Sequence, residues 1–410
     1  MKTSNKSLGN PPVDDTITSG ENLSVWFDTM KQTISYETLN SAIDTDILVI
    51  GGGISGLSTA YSLAKEGRKV VLLEDGYIGS GESGRTTAHL SCALDDRYFE
   101  LEKIHDELTA RLAADSHTKA IEWIADTVKL HTIDCNFKRV DGYLFLHPSD
   151  TTETLEKEYE ATKRAGLNTE LLHAIPAIEA EDGKGCIKFS NQAQFHILLY
   201  LKGLADAFIQ LGGKIYTQTK AENITKEGAT ANGFAVKANH IVVATNSPVN
   251  DWVTMHTKQW PYRTYVIGAK IPKGKLPYAL WWDTGDHDSK WVSQPYHYVR
   301  LVEYDDTHDV LIAGGEDHRT GQADDENIKE EDRYIKLIDW TRKRFPDIEE
   351  ISFQWSGQVM EPVDSLAYIG KNPGDDNIYI ITGSITCPDH WKLISSISGK
   401  RVLVQSISLI

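Results

Sequence analysis

Short runs of apolar residues, each bounded by turn-forming residues, recur along the chain and predict buried strands. Four such runs lie at 45–50, 69–74, 240–245 and 378–382. Their continuous apolar character is typical of strands that are covered on both faces, as in a parallel sheet. Between the first two runs, residues 56–67 carry apolar positions at helical spacing and end in a glycine. Strand, helix and strand together predict one βαβ unit.

A second pattern fills the middle of the chain. Between residues 262 and 316, apolar and polar positions alternate in several short segments, which predicts an antiparallel sheet. Helical spacing marks 95–131, 196–213 and 326–345. Because the buried-strand runs are separated by these long stretches, the sequence predicts an α/β domain interrupted by insertions that build a second, antiparallel β domain.

Glycines crowd the turn between the first strand and its helix. Gly51 permits a tight turn, Gly53 lets a pyrophosphate approach the backbone, and Gly56 allows the helix to pack against the strands. The N-terminus of the helix then presents unpaired N–H groups to phosphates. Glu74 ends the second strand, where a carboxylate accepts hydrogen bonds from ribose hydroxyls and repels a 2′-phosphate. The pattern therefore predicts a dinucleotide other than NADP.

The glycine pattern is shared by FAD and NAD enzymes, so other residues must separate them. Residues 75–91 form a loop rich in Gly, Ser and Thr that can wrap a pyrophosphate, and small polar residues follow another strand at 242–247. A nicotinamide enzyme usually completes its cofactor site with a contiguous domain, whereas the parallel strands here return after residues 196 and 350. These features favour FAD, with an NAD-dependent dehydrogenase as the alternative.

Charge and composition narrow the choice of partners and compartment. The formal net charge of −17 repels phosphate backbones and anionic lipid, so neither nucleic acid nor a membrane is expected to bind. Four widely spaced cysteines and the lack of a signal-peptide or transmembrane pattern predict a cytoplasmic protein. Cys387 and His390 have the spacing of half a Rieske site, but the other half is missing and no metal site is predicted.

Several motifs taken together resemble those of a known enzyme family. They are DILVIGGGISGLSTAYSLAKEGRKVVLLE, GRTTAHLS, NQAQFH, IVVATN, YHYVR, GGEDH and WSGQVMEPVDSLAYIG. Over residues 25–383 the chain resembles the FAD-dependent oxidoreductases of the D-amino-acid-oxidase and glycine-oxidase-like family. Within that family it is most similar to bacterial members that carry a C-terminal Rieske domain.

The resemblance implies a fold and a reaction. The fold is a glutathione-reductase-like, FAD-binding Rossmann domain with an interleaved antiparallel-sheet substrate domain. We expect a disordered tail at 1–22, an FAD-binding domain at 23–95, 196–250 and 352–410, and a substrate domain at 96–195 and 251–351. The implied reaction moves a hydride from the C–N carbon of an amine or amino acid to flavin N5 and gives an imine that hydrolyses. The electron acceptor is O2 or an unknown redox partner.

The resemblance also assigns cofactor contacts to particular residues. The pyrophosphate is assigned to the glycine turn, the adenosine ribose to Glu74, and adenine to the backbone of Ala221. His89 matches the histidine through which dimethylglycine-oxidising relatives attach FAD covalently, with a simple hydrogen-bond donor as the alternative. The predicted cofactor-binding residues are Gly51, Gly53, Ile54, Ser55, Gly56, Glu74, Arg85, Thr86, Thr87, Ala88, His89, Ala221, Thr245 and Gly383.

The chain departs from the family in the motif that holds a substrate carboxylate. Glycine-oxidase-like members have W-x-G-x-R-P, whose arginine grips the carboxylate through two hydrogen bonds. Here residues 355–362 read WSGQVMEP, with Gln358 to Glu361 where the arginine would lie. An amine or polyamine-like substrate, steered by Glu361 or Asp364, is therefore at least as plausible as an α-amino acid.

A second departure follows residue 383. The family continues there with a glycine-rich turn and a helix that faces the flavin, whereas the next glycine here is Gly399 and no Rieske domain follows. We expect a truncated or frame-shifted reading of a longer gene, with a divergent natural tail as the alternative. The alternative function is accordingly a catalytically impaired flavin-binding protein.

Two substrate-contacting residues are predicted from the segment YHYVR. Strand alternation places Tyr296, Tyr298 and Arg300 on one face. If that face lines the cavity, Tyr298 orients the amine and Arg300 binds an anionic group. The alternative is that these side chains only pack within the sheet.

Overall fold

The computed structural model describes residues 22–178, 185–247, 249, 257–289, 295–320, 329–372 and 374–383, and the backbone of 386–387 and 407–408. Apart from residue 22, the predicted tail lies outside these ranges. The side chains of the half-Rieske pattern and of the divergent segment after residue 383 also lie outside them.

Helices and strands alternate along the described residues in an order close to the predicted one. The helices are α1 (Val25–Met30), α2 (Ile54–Lys65), α3 (Tyr98–Ile104), α4 (Glu107–His131), α5 (Thr152–Arg164), α6 (Ile197–Gln210) and α7 (Glu330–Arg344). The strands are β1 (Ile43–Ile50), β2 (Val70–Leu73), β3 (His89–Leu90), β4 (Lys138–Phe145), β5 (Thr169–Leu172), β6 (Cys186–Gln194), β7 (Lys214–Tyr216), β8 (Ala221–Thr225), β9 (Gly228–Ala231), β10 (Phe234–Asn246), β11 (Gln259–Pro272), β12 (Leu280–Asp283), β13 (Tyr298–Glu303), β14 (His308–Arg319), β15 (Ile351–Pro362), β16 (Tyr368–Lys371), β17 (Ile378–Thr382), β18 (Thr386–Cys387) and β19 (Ile407–Ser408). Within the described residues, no helix combines the length and apolar character needed to cross a membrane.

The first sheet has the predicted parallel core. Strands β17, β10, β1, β2 and β7 run parallel in that order, while β16 and the β8–β9 pair extend it in antiparallel fashion. One face packs against α2 and α6, and the other is covered by residues that include Ala229 and Ala231. Burial on both faces explains why β1 is apolar without alternation.

The second sheet follows the order β15, β11, β14, β13, β12, β4, β6 and β3, with β5 paired to β6. Its pairs are antiparallel except for β12 with β4. Helix α7 covers one face, where Leu337 packs in a cluster with Ala269 and Leu311. Val266 and Tyr298 belong instead to the larger core that also contains α2 and α6. The face opposite α7 is therefore directed towards the first sheet.

Two strands lie in the second sheet although the expected domain boundaries group them with the FAD-binding domain. Strand β3 pairs with β6, and β15 pairs with β11 from residue 351 to residue 362. This pairing places residues 89–90 and 352–362 with the antiparallel sheet. The boundaries themselves stay a prediction.

Candidate active site

A cavity of about 450 Å³ lies at the carboxyl ends of β1, β2, β10 and β17. Its wall continues onto the second sheet through Thr264 and Val266 of β11, Tyr298 of β13 and residues 357–360 of β15. Ligands of parallel α/β sheets bind outside the carboxyl ends of the strands. The cavity therefore joins a typical nucleotide position to the face of the antiparallel sheet.

The glycine turn has the geometry that the sequence predicts. Gly51 has a φ of 108°, and a Cβ atom built on it would lie 2.3 Å from the carbonyl oxygen of Ala244. Gly53 caps α2 and lines the cavity, and the Ile54 amide beside it donates to Ser83 Oγ over 2.9 Å. A Cβ atom on Gly56 would lie 1.9 Å from the carbonyl oxygen of Gly51, so Gly56 serves the close packing of helix and turn.

Glu74 is fixed at one end of the cavity. Oε2 accepts a hydrogen bond from the Gly52 amide over 2.5 Å, and Oε1 accepts one from the Gly76 amide over 2.9 Å. Burial, followed by the neighbouring Asp75, raises the pKa of the Glu74 carboxyl to about 8. Ala221 also lines the cavity, and its contact with adenine stays a prediction.

The loop at 85–88 is held from two sides. The indole N–H of Trp26 donates to Thr86 O over 2.6 Å, and that of Trp355 donates to Arg85 O over 2.8 Å. Arg85, Thr86 and Thr87 line the cavity. The pocket wall thus includes a rigid backbone segment next to Tyr298.

Residues 46–402 match the family model described as "DAO: FAD dependent oxidoreductase". The chain belongs to this family. The match confirms the predicted family, the predicted FAD cofactor and the predicted class of enzyme, an FAD-dependent oxidoreductase.

Relatives and solved structures agree with the family and the predicted fold class. The chain is 29% identical over 375 residues to YhfW of Bacillus subtilis, whose name refers to a Rieske 2Fe-2S iron–sulfur protein, with 90% of this chain and 70% of the relative covered. It is 28% identical to the γ-glutamylputrescine oxidoreductase of Escherichia coli, with 86% and 83% covered. The glycine oxidase of Bacillus cereus has the same fold, with a TM-score of 0.63 at 18% identity and 88% and 96% covered.

The described residues fit the FAD of this family. The glycine turn is a cradle that a single Cβ atom would fill, and a buried carboxyl lies at the end of the next strand. Twelve of the predicted site residues line the cavity: Gly51, Gly53, Ile54, Ser55, Glu74, Arg85, Thr86, Thr87, Ala221, Thr245, Tyr298 and Gly383. Gly56, Ala88, His89 and Arg300 do not line it in the part of the chain that the structure describes.

His89 is a correction to the sequence analysis. Its side chain is fully buried, Nδ1 lies 3.0 Å from Thr87 Oγ1, and Nε2 lies 3.2 Å from Val299 O. Burial and the nearby Arg300 lower the pKa of the imidazole to about 3. The neutral ring links β3 to β13 behind the cavity wall, so this placement does not support a contact with the flavin.

Tyr298 lies where alternation places it. Its ring lines the cavity, and its hydroxyl lies 2.6 Å from Thr264 Oγ1. The ring crosses Gly314 so closely that a Cβ atom there would lie 2.2 Å from a ring carbon. Contacts with Thr264 and Gly314 therefore hold Tyr298 in place at the cavity wall.

Arg300 is a second correction. Its guanidinium donates to the backbone carbonyls of Thr87, Ala88 and Phe195, and the side chain is 1% exposed. Burial lowers its pKa to about 9. Because these N–H groups hold backbone oxygens, Arg300 positions the 87–88 segment and does not offer an anion site in the cavity.

Strand β15 lacks the family arginine, as the sequence indicates. The cavity wall on this strand consists of Gln358, Val359 and Met360. The backbone N–H of Gln358 donates to Glu82 Oε2 over 2.8 Å. Among the described lining residues, the cations are Arg85 and Lys220. Arg85 donates to Ser356 O over 2.6 Å, and Lys220 lies beside Ala221 at the adenosine end.

Sequence reasoning missed most of a group of carboxyls beside Tyr298. We call Asp95, Asp96, Asp317 and Glu361 the acidic group. Burial, followed by Asp96, Asp95 and Asp317, raises the pKa of Glu361 well above its usual value. Burial also raises the pKa of Asp317 to about 7 and that of Asp95 to about 6. Of these residues only Glu361 was singled out, because it lies in the motif that lacks the arginine.

Proposed function

We propose that this chain oxidises the C–N bond of a small amine, with FAD in the cavity as hydride acceptor. The observation that carries the proposal is the continuity of the cavity from Glu74 and the glycine turn to Tyr298. A cofactor that spans this length has one end at the parallel strands and the other at the antiparallel sheet. The named activities of the relatives, glycine oxidase and γ-glutamylputrescine oxidoreductase, support C–N chemistry.

The residues of the turn and of the loop would hold FAD. Gly51, Gly53 and Ser55 would contact the pyrophosphate, Glu74 would accept hydrogen bonds from the ribose hydroxyls, and Thr245 would line the second turn. Bound FAD would supply the acceptor for a hydride, which carries both electrons of the oxidation, from the substrate carbon, while the protein supplies orientation and electrostatics.

The substrate side is formed by the antiparallel sheet. Tyr298 is oriented by Thr264 and would direct its hydroxyl or ring edge to the substrate nitrogen. Strand β15 offers no arginine, and Arg85, the arginine among the described lining residues, donates to the carbonyl oxygens of Ser356 and Asn22. A substrate without a carboxylate, namely an amine, therefore fits this wall better than an α-amino acid.

Reduction of the bound flavin tests the proposal. Purified, FAD-loaded protein is mixed anaerobically with a series of amines and amino acids, and the visible flavin bands are recorded. We expect at least one amine to bleach the bands and glycine to be a poor reductant. If dithionite bleaches the flavin but no amine does, the proposal is wrong and the protein only binds flavin. The final acceptor, O2 or another redox partner, and the cytoplasmic location stay predictions.

A further inference from the structure

A segment that precedes the βαβ unit contacts loops at both ends of the cavity. We call this segment, residues 22–39, the N-terminal strap. It contains α1 and lies before residue 46, where the family match begins. Its side chains Trp26, Ile34 and Leu39 are each 5% exposed or less. The strap is therefore packed into the protein, although it lies outside the matched range.

At one end, the strap is hydrogen-bonded to three successive residues of the loop that leads to β3. The bonds join Ser24 Oγ to Gly84 O over 2.5 Å, Trp26 Nε1 to Thr86 O over 2.6 Å, and Arg85 Nη2 to Asn22 O over 3.0 Å. Arg85 and Thr86 line the cavity. A carbonyl oxygen that accepts from a fixed donor cannot turn away without losing that bond. The strap thus fixes the backbone of this part of the cavity wall.

Trp26 is itself fixed by its neighbours. Its side chain is fully buried, the Arg300 guanidinium lies 5.3 Å from the centre of its ring, and the ring of His196 meets it edge-on at 4.9 Å. Next to it, the ring of Phe27 packs on Gly84 so closely that a Cβ atom there would lie 2.6 Å from a ring carbon. The indole N–H is therefore held in the direction of the loop carbonyl.

At the other end, the strap is bonded to the segment between β7 and β8. Thr217 Oγ1 accepts a hydrogen bond from the Tyr36 amide over 2.8 Å and donates one to Tyr36 O over 2.7 Å. Thr219 Oγ1 accepts from the Leu39 amide over 3.1 Å. Thr219 lines the cavity, and its own amide donates to the backbone oxygen of Glu74 over 2.8 Å. The strap thus reaches the end of the cavity at which Glu74 is fixed.

The two contact regions are far apart in sequence, and the cavity is what they share. Residues 84–86 precede β3, residues 217–219 follow β7, and each region includes residues that line the cavity. A ligand that fills the cavity and orders both regions therefore also orders the surface on which the strap packs. By linkage, the packed strap must raise the affinity for that ligand by the same factor.

We propose that the N-terminal strap is part of the FAD site and that Ser24 and Trp26 are positioning residues for the loop at 84–86. They hold the loop carbonyls, so that the loop is already in its binding conformation when FAD arrives. This lowers the entropic cost of ordering the loop on binding. The proposal depends on FAD in the cavity but not on which substrate is oxidised.

Trp26→Phe is the first test, measured as the FAD dissociation constant of the apoprotein by flavin fluorescence titration. Phenylalanine keeps an aromatic ring beside Arg300 but cannot donate a hydrogen bond to Thr86 O. We expect the dissociation constant to rise about tenfold. Trp340→Phe, the same exchange on α7, is the matched control and should leave the dissociation constant unchanged. A folded Trp26→Phe protein with unchanged FAD affinity, even one that melts at a lower temperature, would overturn the proposal.

Limited trypsin digestion of the wild-type protein tests the linkage without a substitution. Lys31 is exposed, and because Trp26 and Ile34 on either side are buried, cleavage after Lys31 requires the strap to detach. Saturating FAD should slow this cleavage about tenfold, as followed by mass spectrometry. Cleavage after the exposed Lys273, in the turn after β11, is the control and should not change. Equal rates after Lys31 with and without FAD, or equal slowing at both lysines, would overturn the proposal.

Both tests are independent of the proposed amine oxidation, since neither uses a substrate. A strap without effect on FAD would leave amine oxidation intact. Failure of every amine to reduce the flavin would leave the role of the strap intact.

Discussion

At the scale of single residues, the cofactor end of the cavity depends on Gly51 and Glu74, whose surroundings do not tolerate a different side chain. Gly51 cannot carry a side chain because Ala244 O lies in the way, and Glu74 is fixed by two amides. The tight turn at Gly51 and the fixed position of Glu74 both depend on residues that are close in sequence or lie on adjacent strands. They could therefore be predicted from the spacing of the glycines and the acid alone.

Glu74→Gln tests the cofactor end. The glutamine side chain keeps the size of the glutamate side chain. Its NH2 group cannot accept the hydrogen bond that the backbone N–H of Gly52 or of Gly76 donates to Glu74. We expect the FAD dissociation constant to rise about tenfold or more, measured by flavin fluorescence titration. Glu222→Gln, on an exposed position of β8, is the matched control. Unchanged FAD affinity in a folded Glu74→Gln protein would contradict the assignment.

The placement of His89 gives a second prediction. Both ring nitrogens have partners, Thr87 Oγ1 and Val299 O, and His89 is not among the described residues that line the cavity, so no bond to the flavin is expected. Acid precipitation should release all flavin into the supernatant, and mass spectrometry should find the polypeptide at its unmodified mass. Flavin that stays with the precipitated protein would show that His89 moves into the cavity when FAD binds.

His89 and Arg300 also show where sequence reasoning ends at this scale. Both residue types are common beside cofactors and substrates, and their motif positions invited such roles. The direction in which the two side chains point depends on the pairing of β3 with β6 and on the contact of residues 87–88 with β13. These are contacts between distant parts of the chain, which no local pattern records.

At the scale of elements, long apolar or alternating strands were predictable and polar ones were not. The sequence predicted β1, β2, β10, β11 and β14. Strand β6 was missed because polar residues occupy buried positions. Gln192 Oε1 accepts from the Cys92 amide over 2.7 Å, and Gln194 Nε2 donates to Leu301 O over 2.9 Å. The hydrogen bonds compensate for the burial of these two side-chain amides. The same polar residues interrupt the apolar pattern from which a strand would be predicted.

His297, just before β13, connects two strands and a helix and gives a prediction for stability. It lies between Asp283 of β12 and Glu316 of β14 and stacks on Trp340 of α7 at 4.2 Å. The two carboxylates outweigh the effect of burial and raise the pKa of the imidazole to about 9. The usual value in the unfolded chain is 6.5. The stabilisation by His297 is therefore complete at pH values below the pKa of the imidazole in the unfolded chain. It is lost as pH rises through the pKa of the imidazole in the folded protein.

His297→Gln should remove this stabilisation. Urea unfolding at about pH 6 should give a free energy of unfolding on the order of 2 kcal/mol lower for the variant, with a smaller difference at about pH 10. The wild-type protein at both pH values is the reference. A difference that does not depend on pH would show that His297 contributes by packing on Trp340 and not by its charge.

At the scale of the whole molecule, the sequence predicted the fold class and the cofactor but not the acidic group. Fold and cofactor follow from repeated or contiguous patterns. The acidic group draws on the loop after β3, on β14 and on β15, which are more than two hundred positions apart at the extremes. Only the assembled sheets bring these carboxyls together. The net charge of −17 adds a general attraction for cationic substrates.

The central claim is that a C–N carbon loses its hydride in the cavity beside Tyr298. Rapid anaerobic mixing of the FAD-loaded protein with putrescine, either unlabelled or deuterated on the carbons next to nitrogen, tests it most directly. We predict that the flavin bands bleach and that deuterium slows the bleaching severalfold. Bands that persist with putrescine and every other amine, in protein whose flavin dithionite reduces, would contradict the account.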